Sequence, residues 1–348
     1  MVSIDEVRKS NSQITSLYGT NLVAVFVIPG NFAVGGTSGI GETTARAFIC
    51  NTKASRVYLI GRDQERASRI IEELQQLEPS ATVNFIATDV SLLREVDRAC
   101  HEIQRQEDLV NILFLSPGVG TATGRDETDE GLDKKLNLHY YSRMRFIANL
   151  LPQLTPANAK GEKTVPSRSR LSRVISVLEA GGEASIDFDD LSLKTNYSLR
   201  NCAKHAITMN SLSMEYLAAS FPRTAFIHSF PGIVRTRLGR DFGTFTTLGL
   251  NALLLLAKPW EIPLAESGER HLYAATCPLF SPRNGNKLLD LAEGSDGNLG
   301  SGFYRLASDG STYKSSKVMQ RYREYGSTSQ IWDHTRGVFA KVLVEKSC

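Results

Sequence analysis

Cysteine is scarce and unpaired in this chain. Five occur in 348 residues, at Cys50, Cys100, Cys202, Cys277 and Cys348, with no Cys-x-x-Cys among them. Odd in number and scattered, they outline neither a zinc site nor a disulfide framework, so no metal is expected and a reducing, cytoplasmic compartment is. An excess of one charge is lacking too. The 40 Lys and Arg against 37 Asp and Glu leave +3, which offers no basic face for nucleic acid and no acidic tail. The opening residues Met1-Val2-Ser3-Ile4-Asp5-Glu6 contain no apolar stretch of the signal-peptide kind. Long hydrophobic runs are missing as well. The most apolar one, Leu248 to Ala257, is too short to span a bilayer and reads as a buried or pocket-covering helix.

What is present is length enough for a full core and a regular alternation of strand-like and helix-like segments. Apolar strand candidates are Leu22–Ile28, Val57–Ile60, Val83–Ala87, Ile112–Leu115, Val174–Leu178 and Ala225–Ser229. Helical candidates between them are Gly41–Cys50, Gln64–Leu77, Leu92–Gln106, Gly131–Leu150 and Leu199–Ser220. This is the pattern of an α/β fold, a doubly wound parallel sheet of Rossmann type in a single domain with a C-terminal extension. The divisions expected are an N-terminal segment over 1–21, the sheet domain over 22–290 and the extension over 291–348. The extension turns helix-like at Ser315–Tyr325 and Ile331–Val344, and Thr155 to Ser172 reads as a polar surface loop.

The run Val34-Gly35-Gly36-Thr37-Ser38-Gly39-Ile40-Gly41 carries the most information. Glycines at 35, 39 and 41 let the backbone turn tightly and approach a pyrophosphate without a Cβ in the way. The helix that follows points free N–H groups and a positive dipole end at that anion. One stretch resists the pattern. Ile28-Pro29-Gly30-Asn31-Phe32-Ala33-Val34 separates the apolar strand from Gly35, and proline and glycine do not suit a central strand. Either the strand is Asn31–Val34 alone, or Pro29-Gly30 forms a bulge or loop.

Together with the segments downstream, Val34–Gly41 resembles the opening Thr-Gly-x-x-x-Gly-x-Gly of the short-chain dehydrogenase/reductase family, with valine for the threonine. The similarity spans roughly Val23 to Asp290. It implies a dinucleotide cofactor held by Gly35, Thr37, Ser38, Gly39, Ile40 and Gly41. Arg62, after the second strand, stands where NADP-preferring members place a basic residue, and a guanidinium there can pair with a 2′-phosphate. Asp89-Val90 matches the family's Asp-Val against the adenine. Leu115-Ser116-Pro117-Gly118 replaces Asn-Asn-Ala-Gly and keeps only Gly118, so the hydrogen bonds usually made there must come from elsewhere. Pro231-Gly232-Ile233-Val234-Arg235-Thr236 matches the motif that lies along the nicotinamide, which adds Pro231, Gly232, Val234 and Thr236 to the cofactor set.

The family's catalytic tetrad of Asn, Ser, Tyr and Lys is incomplete. Asn137 occupies the expected place before Leu151-Pro152. The strand that should end in serine near position 179 ends in Leu178-Glu179, with Ser176 too early. In Tyr197-Ser198-Leu199-Arg200-Asn201-Cys202-Ala203-Lys204 no register gives both Tyr and Lys at i, i+4. Tyr197 and Lys204 share a helix face but lie about 10 Å apart along its axis. The resemblance assigns catalysis to Asn137, Tyr197 and Lys204. His139, Tyr140, Tyr141 and His205 are further acid candidates, with packing as the alternative for each tyrosine. Phrases such as Glu130-Gly131-Leu132-Asp133 and Tyr140-Tyr141-Ser142-Arg143 are similar to a fungal branch that accompanies secondary-metabolite pathways.

Three functions stay open. The first is an NADP-dependent ketone reductase or alcohol dehydrogenase acting on an apolar small molecule. The second is a non-redox cyclase, isomerase or dehydratase on the same fold. The third is a non-catalytic nucleotide-binding module. The resemblance also implies self-association into a homo-oligomer through the long helices, and substrate choice in Arg237–Leu264.

Overall fold

The computed structural model describes residues 1–28, 39–155, 171–234, 258–285 and 290–344. Seven strands form one parallel sheet: β1 (Val23–Val27), β2 (Arg56–Gly61), β3 (Thr82–Ala87), β4 (Ile112–Leu115), β5 (Arg173–Val177), β6 (Ala225–Ser229) and β7 (Phe303–Leu306). Their order is β3-β2-β1-β4-β5-β6-β7. The chain starts in the middle, winds outward to β3, and returns to lay β4 on the other side of β1. The switch point lies between β1 and β4, where a doubly wound sheet opens a crevice at its C-terminal ends.

All five residues of β1 are buried, as a strand covered on both faces requires. Val23, Val25 and Val27 face one layer; Ala24 and Phe26 face the other. The second layer is built from α1 (Ile4–Asn11), α2 (Ile14–Tyr18), α3 (Ile40–Cys50), α4 (Gln64–Leu77) and α9 (Leu264–Thr276). The first holds α5 (Leu93–Gln104), the short α6 (Lys134–Leu136), α7 (Ser142–Leu154) and α8 (Leu199–Ser220). It also holds α10 (Lys317–Glu324) and α11 (Ser327–Val344). Capping side chains set several helix starts. Asp63 accepts from the Arg66 amide at 2.9 Å, and Ser198 from the Asn201 amide at 3.0 Å.

Six strands and the helices between them lie where the periodicity places them, and α4 and α8 match their expected bounds. Three differences have physical causes. The first strand is Val23–Val27, extended by one bond from the Ile28 amide to the Ile60 carbonyl at 3.0 Å. The rest of the lead-in, with Asn31–Val34, lies outside the described residues. The helix expected over Gly131–Leu150 is broken by a π turn at Asn137–Tyr141. The extra residue in that turn lets the adjacent Tyr140 and Tyr141 both point inward, where each is at most 1% exposed. Finally, β7 comes from the segment after Asp290 and pairs in parallel with β6. Its Arg305 interrupts the apolar run that would have announced a buried strand.

The segment after Asp290 is packed into the first layer. Trp332 stacks on Tyr216 of α8 with centroids 6.1 Å apart, and Ile331 is fully buried. Tyr140 joins Ser213 and Thr335 by hydrogen bonds, and Tyr141 joins Ser192 and His334. The N-terminal helices pack on α9, where Tyr18 donates to the Thr276 carbonyl at 2.7 Å. Among the described residues no helix is long and apolar enough to cross a membrane. Leu248 to Ala257 lies outside them. We expect Trp332→Ala to lower unfolding free energy by about 3 kcal/mol, the usual cost of emptying a buried aromatic site. A urea titration checks this; an unchanged midpoint would mean that α11 is not part of the cooperative fold.

Candidate active site

The crevice at the switch point begins at α3. Gly39 is its N-cap and has no side chain to cap it, so among the described residues no side chain caps the first-turn amides, which can receive an anion. Ile40 and Gly41 open the helix. A Cβ on Gly41 would stand 2.7 Å from Ser116 Oγ and 2.8 Å from Ile28 Cγ2. Only glycine lets α3 approach the ends of β1 and β4 this closely. Ser116 completes that contact by donating to the Val27 carbonyl at 3.1 Å. Gly35, Thr37 and Ser38 lie outside the described residues. The part that is described fits a dinucleotide phosphate.

On the adjoining side, Arg62 at the end of β2 pairs with Asp89 at 3.3 Å. Asp89 also accepts from the amide and hydroxyl of Ser91, at 3.0 and 2.7 Å. Burial pushes the Asp89 carboxyl up, but the Ser91 and Arg62 bonds outweigh it and hold it below its ordinary value. Both Arg62 and Asp89 are more than a third exposed, so the pair can open to a ligand.

The three positions assigned to catalysis are not joined to one another. Asn137 donates to the Ser91 carbonyl at 2.7 Å, and its Oδ1 is buried with no hydrogen-bond partner among the described residues. The Tyr197 hydroxyl is likewise buried and unbonded, beside Asp133 and Cys202. Burial raises its pKa first, and Cys202 and Asp133 add to that. The ammonium over its ring belongs to Lys135, 5.8 Å from the centroid. Lys204 is half-exposed on α8 and makes no hydrogen bond or ion pair among the described residues. Ser176 is sealed in the first layer, where it donates to Asn210 Oδ1 at 3.0 Å.

Other candidates are accounted for by packing. The phenols of Tyr140 and Tyr141 are bound to α8, α11 and Ser192 as described. His205 Nε2 accepts from the Asp187 amide at 3.1 Å, and its Nδ1 faces the Leu191 carbonyl at 3.4 Å. Both ring nitrogens therefore hold the loop ahead of α8. His139 Nε2 accepts from the Val119 amide at 3.2 Å. Burial takes that ring down to about 3, so it stays neutral.

Sequence reasoning missed Arg143, which is 1% exposed. Its guanidinium donates to Ser176 Oγ at 2.8 Å, to the Val177 carbonyl at 2.7 Å and to the Leu138 carbonyl at 3.1 Å. A further bond reaches the Pro117 carbonyl. The last of these reaches the altered Leu115–Gly118 loop next to Gly118. The signal was an arginine at the i−3, i−4 position of the apolar stripe Phe146-Ile147-Leu150. Burial takes Arg143 down to about 9, so it is charged at neutral pH.

Across the crevice, the Pro231–Val234 turn is fixed from two sides. Gly232 has φ +76°, and a Cβ there would meet Ile262 at 2.7 Å and Ser308 at 2.8 Å. The Ile262 amide donates to the Ile233 carbonyl at 2.9 Å. Thr236 lies outside the described residues.

Comparison with known proteins agrees with this layout. Residues 32–164 match the family model described as short chain dehydrogenase. Oxidoreductase AN1596 of Emericella nidulans is 41% identical, covering 99% of this chain and 99% of its own. The chain belongs to the short-chain dehydrogenase/reductase family. Oxidoreductase andH of Emericella variicolor is 35% identical over 98% of each chain. A solved short-chain dehydrogenase/reductase from Serratia marcescens shares the fold at 15% identity and TM-score 0.53, covering 84% of this chain and 98% of its own. A second structure, an alcohol dehydrogenase of the archaeon Thermococcus sibiricus complexed with 5-hydroxy-NADP, matches at 19% identity and TM-score 0.50. It covers 76% of this chain and 92% of its own. The relatives of this family enzyme include several named oxidoreductases from fungi.

The buried histidines of the two layers predict a pH dependence. Burial takes both His228 and His271 down to about 4. The unfolded chain therefore binds protons that the folded chain refuses between about pH 6.5 and 4. Stability is complete above the unfolded value and is lost as pH falls through that window. We expect a loss on the order of 2 kcal/mol per histidine from pH 7 to pH 5, read as a fall in the urea midpoint. A midpoint that rises or holds over this range would mean that the rings are solvated.

Proposed function

We propose that this enzyme is an NADP-dependent oxidoreductase, a ketone reductase or alcohol dehydrogenase acting on an apolar, secondary-metabolite-like small molecule. The observation that carries it is the uncapped start of α3 against Gly41, with Arg62 at the neighbouring strand end. In this reading Gly39, Ile40 and Gly41, with Gly35, Thr37 and Ser38, receive the diphosphate. Arg62 turns from Asp89 to a 2′-phosphate, and Asp89 takes the adenine side. Gly118, Pro231, Gly232, Val234 and Thr236 border the nicotinamide. Lys204 reaches the ribose, and Asn137 holds the start of α7 to the Ser91 loop. The bound cofactor supplies a hydride to the substrate carbonyl carbon. The Thermococcus sibiricus relative holds an NADP derivative, which supports this choice of dinucleotide. A cytoplasmic setting suits four free described cysteines.

A non-redox cyclase, isomerase or dehydratase is the second reading. One observation favours it: Ser176 is sealed, and Tyr197 has no bond to Lys204. Purified protein under anaerobic conditions with NADPH and a panel of apolar ketones separates the two. Loss of absorbance at the reduced-nicotinamide band, in step with alcohol formation, is expected. Turnover at an undiminished rate without reduced cofactor would move the assignment to the second reading. Arg62→Ala should weaken NADPH binding about tenfold or more and leave NADH nearly unaffected, because a charge-assisted phosphate contact contributes about 1.5–3 kcal/mol. Calorimetric titration with both nucleotides checks this; tighter NADH than NADPH binding by the parent chain would sink the NADP assignment.

Self-association through α8 would have to displace α11, which lies against it. Light scattering of the purified chain is expected to give the mass of a homo-oligomer, and a monomer would overturn that expectation. A dimer that persists with α11 intact would place the contact on another face.

A further inference from the structure

The chain beyond β5 runs Leu178-Glu179-Ala180-Gly181-Gly182. Gly181 has φ +91°, a conformation that costs a side-chain residue steric energy. A Cβ there would also stand 2.7 Å from Cζ of Tyr313 and 2.9 Å from its two Cε atoms. The hydroxyl-bearing end of Tyr313 therefore rests on the bare backbone of Gly181. At Gly182 a Cβ would stand 3.3 Å from Cδ of Glu179. The Gly182 amide donates to the Glu179 backbone carbonyl at 3.1 Å, which closes the turn beneath that side chain. A phenol and a carboxyl thus share the surface of one Gly-Gly turn at the C-terminal edge of β5.

Tyr313 is delivered by a hairpin that follows β7. The Ala307 amide donates to the Ser311 carbonyl at 2.9 Å, and Leu306 bridges to Thr312. The Tyr313 amide donates to the Arg305 carbonyl at 2.7 Å. Ser308 of the same hairpin packs against Gly232. One hairpin therefore fixes both the Pro231–Gly232 turn and the Tyr313 phenol. The Tyr313 hydroxyl makes no hydrogen bond among the described residues, and it is not among the sealed polar atoms, as the Tyr197 hydroxyl is. Burial raises the Tyr313 phenol first, Asp309, Glu183 and Glu179 add to that, and Arg305 opposes them.

We propose that Tyr313, not Tyr197, gives the proton to the substrate oxygen, with Glu179 beside it as the proton relay to solvent. This rests on the redox reading above. The carbonyl carbon gains hydrogen with its electron pair from the reduced cofactor. The C=O π pair moves onto the oxygen, and that oxygen takes the Tyr313 O–H proton. The exposed Glu179 carboxyl passes one proton from water to the phenolate, so the net reaction consumes a carbonyl, a hydride and one solvent proton. Glu179 stands where the resemblance expects a serine, and the Gly181–Gly182 turn makes room for both groups.

The test uses the full chain labelled with meta-fluorotyrosine, with the lines of Tyr313 and Tyr197 assigned from Tyr313→Phe and Tyr197→Phe. NADP+ is added while calorimetry follows binding. The expected result is that the Tyr313 line moves on saturation and the Tyr197 line does not. In single turnovers with NADPH and phenanthrenequinone, Tyr313→Phe should slow reduction by about 100-fold or more, with NADPH affinity unchanged, and Tyr197→Phe by under about threefold. Glu179→Gln should slow it about tenfold. Absence of any binding heat would remove the redox reading, and this inference with it. Binding heat with a stationary Tyr313 line, or Tyr313→Phe turning over at the parent rate, overturns the inference alone. Where the parent chain does not reduce the quinone, the fluorine shift decides.

Discussion

Arg143 carries a full positive charge into the layer between the sheet and α8, and no carboxylate among the described residues is bonded to it. Taking such an ion out of water costs several kcal/mol. The compensation is a set of bonds from a charged donor to uncharged acceptors, each stronger than a neutral pair. Those acceptors are the Pro117 carbonyl after β4, the Val177 carbonyl and Ser176 hydroxyl at the end of β5, and the Leu138 carbonyl in the π turn. Pro117 has no N–H of its own, and its carbonyl takes its donor from this side chain. One guanidinium thereby fixes three segments that border the crevice. The same bonds explain why Ser176 is unavailable to a substrate.

The C-terminal segment is tied in by a second buried network. Arg305 and Glu183 are each 1% exposed and pair at 2.7 Å. Ser211 of α8 donates to Glu183 at 2.6 Å, which leaves His228 Nδ1–H to donate to Ser211 at 2.8 Å. Burial raises the Glu183 carboxyl, and His228, Arg305 and Ser211 together bring it below its ordinary value. A buried pair of this kind adds little net stability, but it specifies register, because either charge alone would be stranded. Only the alignment of Arg305 opposite His228 lets β7 reach Glu183. The hairpin that carries Ser308 and Tyr313 is placed by that register.

The backbone geometry lining one side of the crevice was readable because it is local. Gly39, Ile40, Gly41 and Pro231-Gly232 express their conformations within a few residues of backbone, and periodicity places β1 to β6 and the helices between them. What escaped depends on distant partners. The strand Phe303–Leu306 is short, and its central arginine is neutralised by a carboxylate far away in sequence. The π turn follows from two adjacent tyrosines that both find partners on α8 and α11, which no window on α7 reveals. The proton donor proposed above belongs to the same class. Spacing within α8 could show that the Tyr–Lys pair is broken, but not what stands at the end of β5 instead.

The loss on α8 and the gain at Gly181 are two sides of one arrangement. The loop ahead of α8 is held by His205 to Asp187, by Thr208 to both backbone groups of Ala184, and by Tyr322 to Ala184 and Ile186. A loop fixed at those points turns Tyr197 toward Asp133 and Lys135. The hydroxyl is then buried, with no hydrogen-bond partner among the described residues. The end of β5 is left with two glycines and an exposed carboxylate, a surface too bare to orient a carbonyl unaided. A ring laid across Gly181 supplies the missing wall. It can lie there only because Gly181 has no Cβ and because Arg305, held by Glu183, accepts the Tyr313 amide at its own carbonyl and so fixes the hairpin that presents the ring. The rigid packing that buries one phenol is thus the packing that positions the other.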